Sequence, residues 1–309
     1  MTENTELSII IVSYNVRHLL TECIASVIKA CRDIEHEIIV VDNASSDGSA
    51  EAIARQFPQV KIIANSKNSG FSAANNQGYK ISQGKYILLL NPDTMVKPGA
   101  VKTVLEFLKA SPKAGLAGCR LLTGSGRLQP SIINYPSITE NILTALYLDR
   151  FFYRNRWEKT YYREGPLAID IPAGAFMMVS RQVLGQGPLF DEGYFMYSEE
   201  AGLSWRLKAQ GFQNYYIPGA QIVHFGEQST SPRESEMYRM LQASKLKFYY
   251  GHYRPVKAFF LSLTLWLVLL SRLLTALPLL PFRGYGRLRL FWLTAVHYPS
   301  LWRRAAVKT

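Results

Sequence analysis

Cysteine is scarce in this chain of 309 residues, occurring only as Cys23, Cys31 and Cys119. The number is odd and no CxxC pair exists, which excludes a disulfide framework and a zinc ribbon and favours a reducing compartment. The N-terminus also lacks an apolar run. MTENTELS is polar and carries two glutamates, so no signal peptide is expected there and the following domain is expected to stay in the cytoplasm. Internal repeats and low-complexity stretches are absent. Acidic side chains are missing from one region above all. Residues 232–309 hold 13 basic and 2 acidic residues, whereas residues 1–231 hold 22 and 21. The net charge of +12 is therefore a property of the last quarter of the chain. That distribution excludes a uniformly basic nucleic-acid coat, and no nucleic-acid partner is expected.

Hydrophobic residues make up 48% and charged residues 19%, a globular balance. The length suits one large α/β domain with an addition, or two domains. Residues 7–118 alternate between short apolar runs and helical stripes. Strands are expected at Leu7–Val12, Glu37–Val41, Val60–Ala64, Tyr86–Leu90 and Ala114–Gly118. Helices are expected at Val16–Ala30, Ser49–Phe57, Phe71–Ser82 and Gly99–Ala110. The alternation predicts a βαβ series with a mostly parallel sheet. Beyond it, Leu121–Pro172 reads as long loops with a helix near Thr139–Leu148. Ala175–Ser180 reads as a strand, Ser198–Gln210 as a helix stopped by Gly211, Asn214–Ile217 and Ala220–Phe225 as two short strands, and Glu234–Tyr250 as a helix.

Polar residues gather just past the C-terminal ends of strands one, two and four, where open α/β sheets bind ligands. Asp93, in LLLNPDT beside Asn91, suits a hard divalent cation that shares phosphate oxygens, although Asn-Pro-Asp is also ordinary turn chemistry. Asp42, in IIVVDNASSDGS, can accept from a pyrimidine ring N–H. Asp47 is expected to cap the next helix, for which Asp42 comes too early. NSKNSGFSAANNQG places Gly70 at a bend and opens a helix at Phe71, an end whose free N–H groups attract a diphosphate.

Taken together, LSIIIVSYN, VVDNASSDGS, NSGFSAANNQG, YILLLNPDTM, IPAGAFMMVSR and FDEGYFMYSEEAGLSWRLKAQGF resemble family 2 glycosyltransferases, most closely the bacterial rhamnosyltransferase-like branch, from Leu7 to Gln228. The resemblance implies a GT-A fold (Rossmann-like, with a mostly parallel sheet), a nucleotide-sugar donor, and a metal-assisted inverting transfer using Mg²⁺ or Mn²⁺. It assigns the base contact to Asp42 and a nucleotide-lining role to Ser13, Tyr14, Gly70, Phe71, Asn75 and Asn91. Asp93 becomes the metal ligand, completed by His224 of IVHFGEQST. On the acceptor side lie Gly174 of IPAGAF and Glu199, and Glu200 fills the slot of the general base with a longer side chain than the usual Asp. Gly202 stands where the family has a second Asp. The two glutamates also suit a helix N-terminus through its dipole. Arg206 is expected to be a structural ion-pair partner, and the other histidines have no companion pattern.

The tail has its own logic. Ala258–Phe282 is 25 residues with one charge, Arg272. At about 1.5 Å per residue a helix of that length reaches across a bilayer core of about 30 Å. Arg272 near its middle costs about 2.5–3.5 kcal/mol on insertion scales, Pro278 and Pro281 interrupt its end, and both flanks are basic. A helix lying in the interface, or a shallow hairpin bent near the prolines, keeps Lys245, Lys247, Arg254 and Lys257 on the same side as Arg283, Arg287 and Arg289. Trp266, Trp292, Tyr298 and Trp302 suit the headgroup zone. A buried helical hairpin or a homo-oligomer interface is the rival. The expectation is a GT-A domain at 1–231 and an apolar, basic, helical region at 232–309. The latter would hold the enzyme peripherally or monotopically on the cytoplasmic face of the membrane, close to a lipid-linked or glycan acceptor. A catalytically degenerate scaffold on the same fold is the alternative that Glu200 and Gly202 motivate. A nucleotidyltransferase would need a glycine-rich triphosphate loop after strand one, which SYNVRH lacks.

Overall fold

A computed structural model describes residues 5–148, 160–226, 234–276 and 286–307. The chain divides into two compact units. The first comprises Met1–Asn134, Arg163–Phe195 and Glu199–Ser229; the second comprises Tyr135–Tyr162, Met196–Ser198 and Thr230–Thr309.

The first unit is a mixed sheet with helices on both faces. Its elements, in chain order up to the first departure, are β1 (Leu7–Ser13), α1 (Arg17–Ala30), β2 (His36–Asp42), α2 (Ser49–Gln56), β3 (Lys61–Ala64), α3 (Phe71–Ile81), β4 (Tyr86–Leu90), β5 (Thr94–Val96), α4 (Ala100–Ala110), β6 (Ala114–Leu122), β7 (Leu128–Gln129) and β8 (Ile132–Ile133). After α5 (Ile138–Ala145), which belongs to the second unit, come β9 (Leu167–Ile169), β10 (Ile171–Pro172), β11 (Phe176–Ser180), α6 (Arg181–Leu184), α7 (Glu199–Ala209) and β12 (Gln213–His224). The main sheet runs β3-β2-β1-β4-β11-β6-β12-β5. β1, β2, β3 and β4 are mutually parallel, β12 is parallel to β6, and β11 and β5 run against their neighbours.

β1 explains why the sheet is covered twice. Every residue of LSIIIVS is buried, the mark of a central strand in a two-sided layer. Ile9 and Ile11 enter a core with Leu20, Ile24, Val27 and Leu105, while Ile10 enters another with Leu89, Met177, Phe190 and Leu207. Each such side chain contributes about 1.5–3 kcal/mol of burial. The parallel registers Ser13↔Asp42 and Ile11↔Leu90 bring the C-terminal ends of β1, β2 and β4 to one edge.

The structure departs from the expected elements in several places. The stretch expected as long loops, Leu121–Pro172, also holds the short strands β7 to β10, each of two or three residues and so too short for a periodic signal, and the short helix α6 follows β11. The strand expected at Ala114–Gly118 continues to Leu122, because its apolar run extends through Cys119, Leu121 and Leu122 in the core. Thr94–Val96 forms a strand, too short for a periodic signal of its own and defined by its pairing with β12. The two short strands expected at Asn214–Ile217 and Ala220–Phe225 are one strand, β12. Its register shifts between Ile217 and Gln221, so Pro218 and Gly219 mark an irregularity within a strand rather than a gap between two.

The second unit is helical: α5, α8 (Glu234–His252), α9 (Pro255–Ala276) and α10 (Gly286–Val307). Pro255 opens α9 at the position where a missing N–H costs nothing. Within the unit α9 packs against α5, α8 and α10, and α10 packs against α8. Polar side chains stitch the interior: Tyr298 donates to Ser262 O (2.8 Å) and Asn141 Nδ2 to Thr264 Oγ1 (3.1 Å). The expected bend at Pro278 and Pro281 lies outside the described residues.

Candidate active site

The nucleotide side begins where β1 and β2 end. Asp42 is 4% exposed; its Oδ2 accepts from Ser45 N at 2.9 Å, while Oδ1 is buried with no partner. Directly across the register, Ser13 Oγ is also buried and unpartnered. A buried carboxylate oxygen without a donor is costly. Two orphaned atoms on neighbouring strand ends fit a ligand that brings a donor, as a pyrimidine ring N–H does. Asp47 accepts from Ser49 N (3.1 Å) at the start of α2 and from Arg17 N (2.8 Å) at the start of α1, so one carboxylate ties two helix starts together. Those hydrogen bonds outweigh the effect of burial and hold Asp47 below its ordinary value.

The segment leading to α3 is organised by residues that the sequence reading did not single out. Asn43 Oδ1 accepts from Ser69 N and Asn65 Nδ2, and its Nδ2 donates to Gly70 O and Asn68 Oδ1. Gly70 has φ 88°, and an added Cβ would meet Phe195 O at 2.6 Å. Phe71 N donates to that same oxygen at 2.7 Å, and Gly70 N to Asn68 Oδ1. The N–H groups of Gly70 and Phe71 are thus occupied by the protein. Asn75 Nδ2 donates to Phe71 O, within its own helix. Asn76 exchanges two hydrogen bonds with the Phe190 backbone and donates to Glu192. Turn-type asparagines carry no signal in sequence that separates such struts from surface loops; only the partners reveal them.

Asp93 and His224 are brought together by β5 and β12. Their antiparallel register sets His224 opposite Thr94, and His224 Nε2 lies 3.3 Å from Asp93 Oδ1, both side chains largely buried. Phe225 N donates to Asp93 O at 2.9 Å and fixes the same junction. His224 Nδ1 contacts Gln129 Oε1 at 3.1 Å, a partner that orients the ring with Nε2 toward the carboxylate. A carboxylate and an imidazole nitrogen that face each other are the donor types a divalent cation takes, and a second partner that orients the ring is the usual companion of a ligating histidine. No group of three or more His, Cys, Asp or Glu able to hold a metal occurs among the described residues. A two-ligand set suits Mg²⁺ or Mn²⁺, which keep several positions for phosphate and water. Asn91 N donates to Ala175 O, which places Gly174 beside this loop, and an added Cβ on Gly174 meets nothing within 4 Å. Cys23 lies beneath, 3.4 Å from Thr94 Oγ1, its thiol pushed up to about 12 by burial, so it is inert. The other two cysteines are likewise free and buried.

Glu199 and Glu200 open α7. The two residues before them, Tyr197 and Ser198, have φ 71° and 67°, a run that non-glycine residues adopt at a cost and that recurs at functional sites. Glu199 is 6% exposed with Oε2 unpartnered. Burial, reinforced by the Glu200 charge, holds its carboxyl well above the ordinary range. Glu200 is half-buried. Tyr194 lies in the field of Asp191 and both glutamates, and burial first, then those charges, raises its hydroxyl. A Cβ on Gly202 would meet only Tyr194 Cε2, at 3.7 Å. Arg206 corrects an expectation: its guanidinium donates to Pro188 O (2.9 Å) and Leu189 O (3.1 Å), backbone carbonyls rather than a carboxylate. Tyr14 is half-buried just past β1.

Known proteins share this sequence and architecture. The chain is 29% identical over 210 residues to an N-acetylglucosaminyl-diphospho-decaprenol L-rhamnosyltransferase of Mycobacterium tuberculosis, covering 62% of this chain and 67% of that protein. It is 24% identical over 224 residues to the rhamnosyltransferase WbbL of Escherichia coli, covering 70% and 83%. Among solved structures, a mannosyltransferase of Pyrobaculum calidifontis in complex with GDP-Man and Mn²⁺ superposes with a TM-score of 0.60 at 17% identity, covering 98% of this chain and 86% of that one. GalNAc-T7 with UDP, GalNAc and Mn²⁺ gives 0.55 at 18%, covering 79% and 50%. At those identities the structural likeness establishes the GT-A fold. The sequence pattern of glycosyl transferase family 2 matches residues 8–187, more than half of the chain, and the protein belongs to that family of glycosyltransferases.

Proposed function

We propose that this glycosyltransferase moves a sugar, rhamnose from dTDP-rhamnose in the reading its relatives favour, onto a lipid-linked or growing polysaccharide acceptor of the cell envelope, with inversion at the anomeric carbon. The observation that carries the reading is the Asp93–His224 pair, 3.3 Å apart at the C-terminal edge of the sheet. Asp42 and Ser13 offer their unpartnered oxygens to the base. A divalent cation held by Asp93 and His224 would offset the charge that develops on the departing nucleoside diphosphate. Glu200 takes the proton of the acceptor hydroxyl as that oxygen attacks opposite the leaving group. Glu199 lies buried beside Glu200, where burial favours its neutral form. The open space at Gly174 leaves room for the acceptor sugar. No covalent enzyme intermediate is needed, in keeping with three inert thiols.

The helical unit supports a place at the membrane surface. Pro255–Thr275 is apolar enough to cross a bilayer, with mean hydropathy 1.9, yet 39% of it is buried within the protein. Its outward side keeps Val256, Phe259, Phe260, Leu267 and Leu274 exposed, and Trp292 and Val296 are exposed on α10. Apolar side chains among basic flanks suit an anionic interface. The test is hydrolysis of candidate nucleotide sugars by the purified protein with Mn²⁺ or Mg²⁺. Turnover of a dTDP sugar, abolished by Asp93→Ala, is expected. A protein that turns over no nucleotide sugar, with Asp93→Ala silent in cells, is a degenerate scaffold instead.

A further inference from the structure

The interior of the helical unit holds two positive charges that no carboxylate among the described residues pairs with. Tyr238, Gln242 and Lys245 recur at helical spacing and form one stripe of α8. α9 packs against α8, and its Arg272 lies within Coulombic reach of both Tyr238 and Lys245. On the other side Tyr238 meets Phe291 of α10 edge-on, with ring centroids 5.9 Å apart. The cluster therefore faces helices rather than open solvent. Lys245 and Arg272 are half-buried and Gln242 is 2% exposed.

Like charges in such a place need a counter-charge. α9 and α10 contain no acidic residue. Among the described residues no carboxylate forms an ion pair with Lys245, Arg272 or Arg239. Burial, and then the Arg272 charge, hold the Lys245 ammonium below its ordinary value, so the arrangement is costly as it stands. Two further polar atoms on the same helix are orphaned, Gln242 Oε1 and Arg239 Nε. Turning the Gln242 amide over presents its NH₂ in place of that oxygen. The set then consists of donors: an ammonium, a guanidinium, an amide and a flanking Arg239.

We propose that Lys245 and Arg272, with Gln242, Tyr238 and Arg239 around them, form an anion site for the diphosphate of a membrane-borne acceptor lipid. Guanidinium and ammonium groups suit phosphate oxygens by geometry and by charge. The exposed apolar side chains of the same unit give the hydrocarbon chain a surface beside it. The inference rests on the lipid-linked acceptor proposed above and names the part of the molecule that recognises it. It also explains the retention of an unpaired charge in a helical core, since a site that must accept an anion is left incomplete until the anion arrives.

Calorimetric titration of the full-length chain with farnesyl diphosphate, farnesol and inorganic pyrophosphate tests it. Farnesyl diphosphate is expected to bind at least tenfold more tightly than either fragment. Lys245→Met and Arg272→Met each keep the aliphatic stem and are expected to weaken farnesyl diphosphate at least tenfold. Lys245→Arg is expected to retain binding within threefold. In the absence of ligand, Lys245→Met is expected to melt at or above the wild-type temperature, which also shows that it folds. Equal affinity of wild type and both methionine variants for farnesyl diphosphate overturns the site. Pyrophosphate binding as tightly as farnesyl diphosphate overturns the lipid, leaving a free-phosphate site. Donor hydrolysis by the wild type is read in parallel: if it persists while farnesyl diphosphate fails to bind, this inference falls and the transferase reading stands, and if no donor is turned over, that reading falls by itself.

Discussion

The two units of this protein treat charge in opposite ways. In the α/β unit carboxylates are spent on the fold. Glu37 accepts from Ser8, from the Gln83 backbone and from Lys61, and these bonds overcome burial to hold it below its ordinary value. Three unsatisfied atoms, Ser13 Oγ, Asp42 Oδ1 and Glu199 Oε2, fall in the candidate site, while Ser72 Oγ, Ser204 Oγ and Arg206 Nε lie outside it. In the helical unit, α9 and α10 carry no acid, and Lys245 and Arg272 sit half-buried without a carboxylate partner among the described residues. The first unit marks its site by unpaired acceptors. The second holds unpaired cations.

Breaking the metal-bearing pair should give the largest effect. Asp93→Ala is expected to lower turnover of the donor by about 10²–10³-fold, measured by nucleotide release, with membrane fractionation unchanged. Glu200→Gln should follow, with a loss of about 10²-fold in transfer to acceptor; comparable transfer by the variant would remove Glu200 as the base. Gly70→Ala sharpens the structural half of the comparison. Its positive φ and the approach to Phe195 O predict a loss of about 2 kcal/mol or more, read by denaturant unfolding. In the helical unit, Phe259→Ser with Phe260→Ser should reduce co-sedimentation with anionic vesicles while leaving donor hydrolysis intact, since about 1.5–3 kcal/mol of burial is at stake for each ring. Unchanged sedimentation would detach those residues from the membrane reading.

The smallest effect concerns Glu199. Its folded carboxyl titrates above the unfolded one, so the folded state holds a proton that the unfolded chain releases above about pH 4.3. Its contribution to stability is fully present below that value and is lost as pH rises through the folded value. Glu199→Gln should therefore flatten the fall in melting temperature as pH rises above about 4.3. A slope equal to that of the wild type would place the proton elsewhere.

Much of this was legible because the signals are local. β1, β2 and β4 announce themselves as continuous apolar runs, and Asp42 and Asp93 follow them directly. Other features were not, because they depend on what a residue meets. Pro218 and Gly219 read as a break but lie inside β12, since a strand can shift register and resume. Asn43 and Asn76 read as turn residues and act as struts. Tyr135–Tyr162 read as loop and helix of the first domain but falls with the C-terminal helices, because α5 packs against α9.

By itself the sequence determined the alternation of strands and helices, the position of the carboxylates at strand ends, and the separation of a neutral region from a basic one. Periodicity, punctuation and composition are properties of neighbouring residues and survive without a fold. Tertiary structure supplied the 3.3 Å approach of His224 to Asp93, which sequence offered only as a resemblance, and it alone decided that Glu199 is buried beside Glu200 and that Arg272 comes within Coulombic reach of Lys245. Those relations join residues 131 and 27 positions apart, or depend on burial, and only packing sets which charges come close and which lose their water.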